Sequence, residues 1–310
     1  MSRPVVTVLV PGRDVGAFAA EAIASLRAQT FADWAAILVD DGSADVTSTV
    51  FDNAAAEDDR IRVIRHAESR GLGAARNAAL ELVDTPYVGF LDADDILRPR
   101  ALERLVATVT ATGSDLVVGA YVRLRPDVDG GYRTGEVQPW VSASTDPERH
   151  GVTLATHPAA AGNIVAWSKL SRTELWDGLR FPEGRAYEDQ VVAQRLYTRA
   201  EAFDVIPDIV VEWRERADGT SITQRKAELP ILRDYLDALA GGIAVLDERR
   251  LDAAAASRVS LIFRLDLPPL LQIARTHADP EYRALLEAFV RDLAMRPGAP
   301  KRADDLVALG

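Results

Sequence analysis

Residues 87–95, Tyr87-Val88-Gly89-Phe90-Leu91-Asp92-Ala93-Asp94-Asp95, join an apolar run directly to an acidic cluster. An apolar run of this length is typical of a buried strand, so the carboxylates emerge where the strand leaves the core. Residues two apart share a face in an extended chain, and Asp92 and Asp94 are therefore expected to point the same way. Such a pair repels itself unless a cation or a donor lies between, and Mg²⁺ or Mn²⁺ suits oxygen ligands of this kind. The alternative is an acidic turn that caps the next helix, with Pro99 in the first turn.

Two further apolar runs near the start of the chain also lead directly into polar residues. Residues 5–10 lead to residues 11–14, and residues 35–39 lead to residues 40–43. Segments with helical spacing separate these runs, so the order of elements predicts an α/β protein with a Rossmann-like, mostly parallel sheet covered by helices on both faces. Ligands bind such sheets outside the carboxyl ends of the strands, which predicts one site along this edge.

Composition limits the classes of protein to which the chain can belong. The chain has 310 residues, of which 48% are hydrophobic, and its net charge of −11 argues against nucleic acid and anionic membranes as partners. It has no cysteine, which excludes disulfides and thiolate catalysis. No signal peptide is visible, and no segment reaches the roughly 18 apolar residues of a membrane span. We therefore expect a cytoplasmic protein without a transmembrane segment.

The second half of the chain changes in character twice. Residues 121–160 carry scattered proline and glycine with weak periodicity, which predicts a loop-rich segment and a possible lid over the site. From about residue 228 the chain is rich in leucine and alanine at helical spacing, with interruptions expected at Gly241-Gly242 and Pro268-Pro269. These C-terminal helices have three possible uses: self-association into a homo-oligomer, contact with a substrate, or simple packing against the sheet.

A series of short motifs, taken in order, resembles the family 2 glycosyltransferases, which are inverting enzymes of GT-A fold. The resemblance covers about the first 225 residues and rests on these stretches: residues 5–11, Gln29-Thr30-Phe31, residues 39–43, residues 71–77, residues 90–95, Trp167-Ser168-Lys169-Leu170, residues 181–185, Tyr187-Glu188-Asp189 and Trp213-Arg214. It implies a GT-A domain at 1–225, with a nucleotide-sugar half at about 1–120 and an acceptor half at about 121–225. Residues 226–310 would form a helical C-terminal region.

The same resemblance implies roles for the residues that follow the first strands. It assigns the nucleotide to a group of residues in these loops and in the helix after residue 71: Pro11, Arg13, Asp14, Asp41, Arg76, Asp92 and Ala93. Asp41 would accept hydrogen bonds from a pyrimidine, since a carboxylate can only accept; the alternative is an Asx turn around Gly42. Arg76 would reach the base or the diphosphate with its planar fork, the alternative being a helix-surface arginine.

The expected metal ligands are Asp94, directly, and Asp92, on the ribose or a metal-bound water, with Mn²⁺ or Mg²⁺ as the ion. The ion would neutralise the charge on the leaving diphosphate. One departure from the family pattern stands at Arg13 and Asp14, where the family usually has Tyr-Asn and stacks the aromatic ring on the base. An arginine can also stack over a base, but the change weakens the expectation of uridine.

A second acidic pair, Glu188 and Asp189, lies at the predicted start of a helix. Taken alone, two carboxylates there are explained by the helix dipole. The resemblance implies that Asp189 is the general base that deprotonates the acceptor hydroxyl and that Glu188 shares or orients this role. Adjacent helical residues face about 100° apart, so only one of the two can point squarely into the site.

Four more residues are candidates for the diphosphate and the acceptor. Lys169 and Arg214 would close on the diphosphate, while Trp167 and Trp213 would line the sugar or acceptor pocket, unless the tryptophans are ordinary core residues.

The sequence thus predicts a metal-dependent inverting glycosyltransferase that uses a nucleotide-diphosphate sugar, preferably a UDP-sugar. The acceptor would be a hydroxyl of a glycan, a cell-wall or capsular polymer, a lipid-linked glycan or a small molecule. One alternative is a non-catalytic subunit that binds a sugar nucleotide without turnover. A sugar-nucleotidyl transferase would need a glycine-rich phosphate loop after the first strand, which residues 11–14 do not supply.

Overall fold

A single mixed sheet forms the centre of the protein. The computed structural model describes residues 3–217, 219 and 225–301, and residues 302–310 of the predicted C-terminal region lie outside that range. The strands follow the order β3-β2-β1-β4-β9-β6-β10-β5, with β7 beside β6 and β8 beside β10. Their bounds are β1 (Val6–Gly12), β2 (Trp34–Asp41), β3 (Ile61–His66), β4 (Tyr87–Phe90), β5 (Ile96–Leu97), β6 (Leu116–Pro126), β7 (Tyr132–Thr134), β8 (Arg149–Val152), β9 (Lys169–Arg172) and β10 (Phe203–Arg214).

The four strands β3, β2, β1 and β4 are all parallel, as the alternating strand and helix pattern predicts. The antiparallel strand β9 then separates them from the parallel pair formed by β6 and β10. The α/β fold class predicted from the sequence is confirmed, with the sheet parallel in its first half and mixed beyond β4.

Helices lie between the strands of the sheet and continue after its last strand. Their bounds are α1 (Ala19–Arg27), α2 (Thr47–Glu57), α3 (Leu72–Leu80), α4 (Ala101–Thr112), α5 (Pro139–Thr145), α6 (Asp189–Arg199), α7 (Leu229–Glu248), α8 (Asp252–Leu261), α9 (Leu267–Ala274) and α10 (Pro280–Ala294). A π-helical turn, Ile262–Asp266, joins α8 to α9. Among the described helices, none is both long and apolar enough to cross a membrane.

Apolar clusters hold the sheet and the C-terminal helices. The largest contains the β1 residues Val8, Leu9 and Val10, all at most 1% exposed, and the side chains of the helices that cover them. The C-terminal helices have a cluster of their own around Leu232 and Leu286. A third cluster joins the two, because α7 and α8 residues pack against β6 and β10. The C-terminal helices are therefore packed on the sheet domain.

Residues 121–160 contain the rest of β6 as well as β7, α5 and β8, and loops join these short elements. The structure corrects the expected interruptions of the C-terminal helices. Gly241-Gly242 does not interrupt α7: a Cβ at Gly241 would lie 2.9 Å from Cγ2 of Val191 in α6, so the glycine permits close packing of the two helices. Pro268-Pro269 does not interrupt the helical backbone either, which runs from α8 through the π-helical turn into α9.

Candidate active site

Two clefts meet at the carboxyl edge of the sheet. The larger has a volume of about 620 Å³ and is lined by residues 11–15 together with Asp41, Asp94 and Arg216. The smaller has a volume of about 320 Å³ and is lined by Glu188, Asp189, Trp167 and residues of the C-terminal helices. Both clefts share Leu72, Asp92 and Trp213. A molecule in the larger cleft therefore reaches the smaller one past Asp92.

The loop after β1 forms one wall of the larger cleft. Arg13 is exposed, and its Nη1 donates to Ser69 Oγ at 3.0 Å. Asp14 has a left-handed backbone with φ of 50°, and its Oδ1 accepts from the Ala44 amide at 2.8 Å. The loop is thus tied to the turn after β2. Ala93, by contrast, is 1% exposed, and its amide donates to the Pro11 carbonyl. This burial does not fit a direct contact between Ala93 and a nucleotide.

The Asp41 carboxylate accepts four hydrogen bonds from the last residue of β3 and from the segment that follows it. Its Oδ1 accepts from His66 Nδ1 at 2.6 Å and from the Arg70 amide at 2.9 Å. Its Oδ2 accepts from Ser69 Oγ at 2.7 Å and from the Gly71 amide at 2.9 Å. Burial opposes ionisation, yet these hydrogen bonds lower the pKa of Asp41 below its usual value. The contact with a base stays a prediction, and it requires Asp41 to share an oxygen that already accepts two hydrogen bonds.

Arg76 connects the two acidic pairs. It is 1% exposed, so the helix-surface alternative is wrong. Its Nη2 donates to Asp92 Oδ1 at 2.7 Å, and its Nη1 is paired with Glu188 Oε1. Close packing of α3 brings Arg76 within reach of Glu188. A Cβ at Gly73 would lie 2.3 Å from the Pro182 carbonyl oxygen, so the glycine lets α3 pack against the segment that precedes Glu188. Arg76 neutralises charge on both sides of the boundary between the clefts.

The three aspartates that follow β4 have different surroundings. Asp92 and Asp94 both line the larger cleft, and Arg216 Nε donates to Asp94 Oδ2 at 2.7 Å. Burial and the nearby charge of Asp92 raise the pKa of Asp94, while Arg216 opposes that shift. Asp95 is 1% exposed, and its Oδ1 accepts from the Arg214 amide at 2.8 Å. Asp95 is therefore buried and connects the loop after β4 to the end of β10.

The pair formed by Asp92 and Asp94 fits a hard divalent cation that is also held by a substrate. Burial and mutual repulsion raise the pKa of Asp94, and a cation between the two carboxylates would relieve this cost. Within the described residues, no cluster of three or more potential ligands exists. Mg²⁺ and Mn²⁺ sites of this kind typically use one or two carboxylates and complete their coordination with phosphates and water.

Glu188 and Asp189 are adjacent but differ in their partners. Glu188 is 4% exposed, and its carboxylate forms an ion pair with Arg76. Asp189, the first residue of α6, lines the smaller cleft, and none of the described residues donates a hydrogen bond to its carboxylate. Burial and the charge of Glu188 raise the pKa of Asp189 to about 7. Of the two carboxylates, Asp189 is therefore the one without a hydrogen-bond donor among the described residues, and its role as general base stays a prediction.

Neither Lys169 nor Arg214 is among the residues that line the larger cleft. Lys169 is 4% exposed, and its Nζ donates to Asn163 Oδ1 at 2.9 Å and to the Val165 carbonyl at 2.6 Å. Arg214 is 3% exposed, and its Nε donates to the Asp94 carbonyl at 2.7 Å. Both side chains are engaged by acceptors within the protein, and their contact with a diphosphate stays a prediction. Arg216, two residues after Arg214, does line the larger cleft.

The two predicted tryptophans pack in the protein and also line the smaller cleft. Trp167 is 5% exposed and stacks on Trp213 with ring centroids 6.4 Å apart. Both line the smaller cleft. Sequence motifs gave no sign of the residues opposite them, Tyr235, Arg258 and Asp266, because these belong to helices that carry no motif. Arg216 was also missed, although its place just after the Trp213-Arg214 motif was the available signal.

The chain is similar in sequence to several known proteins. Residues 7–166 match the model of the protein family described as Glycosyl transferase family 2. The glycosyltransferase GlyG of Streptococcus pneumoniae is 26% identical over 245 residues, which is 77% of this chain and 79% of GlyG. The glycosyltransferase EpsJ of Bacillus subtilis is 31% identical over 222 residues, which is 70% of this chain but only 62% of EpsJ.

Solved structures show the same fold. The structure of S. aureus TarS 1–349 in complex with UDP-GlcNAc superposes with a TM-score of 0.73, covering 97% of this chain and 83% of that one at 20% identity. The mannosyltransferase PcManGT from Pyrobaculum calidifontis, in complex with GDP-Man and Mn²⁺, gives a TM-score of 0.54 at 19% identity, covering 100% of this chain and 84% of that one. The predicted fold is thereby confirmed, including the part that contains the C-terminal helices.

Proposed function

This chain belongs to the glycosyl transferase family 2, and from that premise we propose that it is an inverting, metal-dependent glycosyltransferase that uses a nucleotide-diphosphate sugar. One observation carries the proposal. Asp189, a carboxylate to which no described residue donates a hydrogen bond, faces a cleft that opens at Asp92 into a second cleft lined by acidic and cationic groups. A donor in one cleft and an acceptor in the other can thus meet beside Asp189, which would act as the base.

The larger cleft is the proposed donor site. Its cationic lining residues are Arg13, Arg216 and Arg225, which suit a diphosphate, and the exposed Arg13 guanidinium can stack on a base. A UDP-sugar is the preferred donor, and TarS, of similar fold, has been crystallised with UDP and with UDP-GlcNAc. Asp92 and Asp94 would hold the divalent cation. When bound, the cation would stabilise the negative charge of the departing diphosphate.

Asp189 is the proposed general base in the smaller cleft. Its carboxylate would accept the proton of the acceptor hydroxyl while the hydroxyl oxygen bonds to the anomeric carbon of the donor. The bond from that carbon to the diphosphate oxygen breaks in the same step, on the opposite face, and the electron pair leaves with the nucleoside diphosphate. The products are a glycoside of inverted configuration and the free nucleotide. Arg76 supports this step by pairing with Glu188, which leaves Asp189 as the available base.

The acceptor of the proposed reaction carries a free hydroxyl. Glycans, cell-wall or capsular polymers, lipid-linked glycans and small molecules all meet this condition. A non-catalytic sugar-nucleotide-binding subunit is the alternative, and it would bind a nucleotide without releasing one from a sugar donor.

Thermal unfolding in the presence of nucleotides tests the donor site directly. Wild type and Asp94→Ala would be unfolded with UDP, CDP, dTDP and GDP, each with and without Mn²⁺. Ligand at about 100 times its dissociation constant adds roughly 2.7 kcal/mol of stability. We expect stabilisation by UDP that needs Mn²⁺ and is lost in Asp94→Ala. If no nucleotide stabilises the wild type, the donor site does not function. If UDP binds but UDP-sugars are never consumed, the binding subunit is the correct reading.

A further inference from the structure

The C-terminal helices form one wall of the smaller cleft. Tyr235 of α7, Arg258 and Leu261 of α8, and Leu265 and Asp266 of the π-helical turn all line it. Aromatic rings of the sheet domain also line this cleft, among them Trp167 and Trp213. The cleft is therefore a joint product of two parts of the chain, and only one of these parts carries the family motifs.

Ring stacking, hydrogen bonds and an ion pair hold the residues of this wall in place. Tyr235 stacks on Tyr187, the residue before the acidic pair, with ring centroids 3.9 Å apart. The Tyr235 hydroxyl donates to Asp266 Oδ1 at 2.6 Å, and Arg258 Nη2 lies 3.1 Å from Asp266 Oδ2. Arg258 Nη2 also donates to Gln190 Oε1 at 3.1 Å. The residues on both sides of Glu188 and Asp189 are thus held by the C-terminal helices.

The backbone at this point also requires external support. Tyr187 has φ of 58°, a left-handed conformation that is unfavourable for an aromatic residue. Such residues persist where the surrounding structure holds them, and they are concentrated at functional sites. The π-helical turn that carries Leu265 and Asp266 is a second feature of this kind.

The chemistry of the wall suits a polyhydroxylated ring. The Tyr187 hydroxyl is buried and has no hydrogen-bond partner among the described residues. Asp266 and Arg258 add an acceptor and donors, while Tyr235, Trp167 and Trp213 add aromatic surface. Aromatic faces attract the slightly positive C–H groups of a sugar ring, and polar groups at the rim fix its hydroxyls. A volume of about 320 Å³ is at the lower end of the range for ligand pockets, which indicates a small unit such as one sugar residue.

We propose that the C-terminal helices provide the acceptor subsite, in which Tyr235, Arg258, Leu265 and Asp266 hold a sugar residue of the acceptor with one hydroxyl directed to Asp189. The acceptor of this enzyme is then a carbohydrate. The proposal rests on the proposed function and deepens it, because it names the chemical class of the second substrate and places its specificity outside the family motifs.

Saturation-transfer NMR can separate this proposal from the donor site. The protein would be held with UDP and Mg²⁺, and the probes would be methyl β-N-acetylglucosaminide, methyl α-glucoside and methyl β-galactoside, with N-acetylserine amide as a hydroxyl compound that is not a sugar. We expect saturation of at least one glycoside and none of N-acetylserine amide. The critical variant is Leu265→Trp, which fills the cleft from a half-buried position. The matched control is Arg264→Trp, at the neighbouring exposed residue, which does not line the cleft.

The expected result is loss of the glycoside signal in Leu265→Trp, with the UDP signal unchanged, and retention of both signals in Arg264→Trp. Asp266→Asn serves as a second variant with little change in volume, and it should weaken the glycoside signal. Three results would overturn the proposal: glycoside binding that survives both cleft variants, a UDP-bound wild type that binds no glycoside, or a preference for N-acetylserine amide. Failure of UDP to bind wild type would instead reject the donor site.

Discussion

The two clefts differ in how their carboxylates are satisfied. In the larger cleft Asp41 accepts four hydrogen bonds, and Asp94 is paired with Arg216. In the smaller cleft Asp189 accepts none from the described residues, and burial together with Glu188 raises its pKa to about 7. Carboxylates that hold a ligand in place benefit from fixed positions, whereas a base needs an oxygen free to receive a proton. Under the proposed function, this difference separates donor binding from the chemical step, and Arg76 contacts both sides of the boundary.

Removal of the free carboxylate gives the largest expected effect. Asp189→Asn keeps the shape of the side chain but cannot accept a proton, so nucleotide release from the donor should fall about 10²- to 10⁴-fold. UDP binding, measured by thermal shift, should stay unchanged because Asp189 does not line the larger cleft. A fall in UDP affinity as large as the fall in rate would show that the two clefts do not divide the work in this way.

Removal of the bridge between the clefts should affect stability most. Arg76→Met leaves Asp92 and Glu188 without their shared partner, and loss of one member of a buried pair costs about 3–5 kcal/mol. Urea unfolding measures this difference. Arg70→Met is the matched control, since Arg70 is paired with Glu183 at the surface and such pairs contribute about 0–1 kcal/mol. Equal losses in the two variants would mean that the Arg76 bridge contributes no more than a surface pair.

Asp41 offers the corresponding test inside the larger cleft. Asp41→Asn places an amide where Ser69 and three other donors converge, so at least one buried donor loses its acceptor at a cost of about 1–3 kcal/mol. We expect lower stability in urea and weaker UDP binding, because the loop from Ser69 to Gly71 also lines the cleft. Weaker UDP binding without any loss of stability would favour a direct contact between Asp41 and the base.

The sequence predicted the first half of the fold because its information there is local. Segments with strand periodicity and segments with helix periodicity alternate up to Leu91, and each polar cluster follows a strand. The edge of the sheet and the place of Asp92 on it could therefore be predicted from the sequence. Partners that are distant in sequence were not. Arg76 and Glu188 are 112 residues apart, and that contact decides which of Glu188 and Asp189 stays free. The sequence could state only that one of the two faces the site.

The partners of Lys169 and Arg214 were not predictable for a related reason. A motif identifies a residue but not the direction of its side chain, and both side chains donate to acceptors from other parts of the chain. Gly241 shows the same limit, since its role depends on Val191 of α6 rather than on its own helix.

The raised pKa of Asp189 predicts opposite trends for activity and stability with pH. The base acts when deprotonated, so the rate should rise with pH and level off above about pH 7. Folding favours the protonated carboxyl, because its pKa is raised from about 4 in the unfolded chain. The stability that this proton contributes is therefore lost as pH rises towards 7. Asp189→Asn should be more stable than wild type at pH 8, with the difference vanishing near pH 4 in thermal unfolding. A variant that is less stable at pH 8 would contradict the raised pKa.

The smallest effect on the donor is expected at Lys169. Burial lowers the pKa of its ammonium group to about 7, and its partners are Asn163 and the Val165 carbonyl. Lys169→Met keeps the length and removes the charge, so UDP binding should match wild type in a Mn²⁺-dependent thermal shift. Arg216→Met, changed in the same way within the larger cleft, should weaken that binding. If Lys169→Met weakens UDP binding and Arg216→Met does not, Lys169 rather than Arg216 contacts the diphosphate, and the donor site includes Lys169.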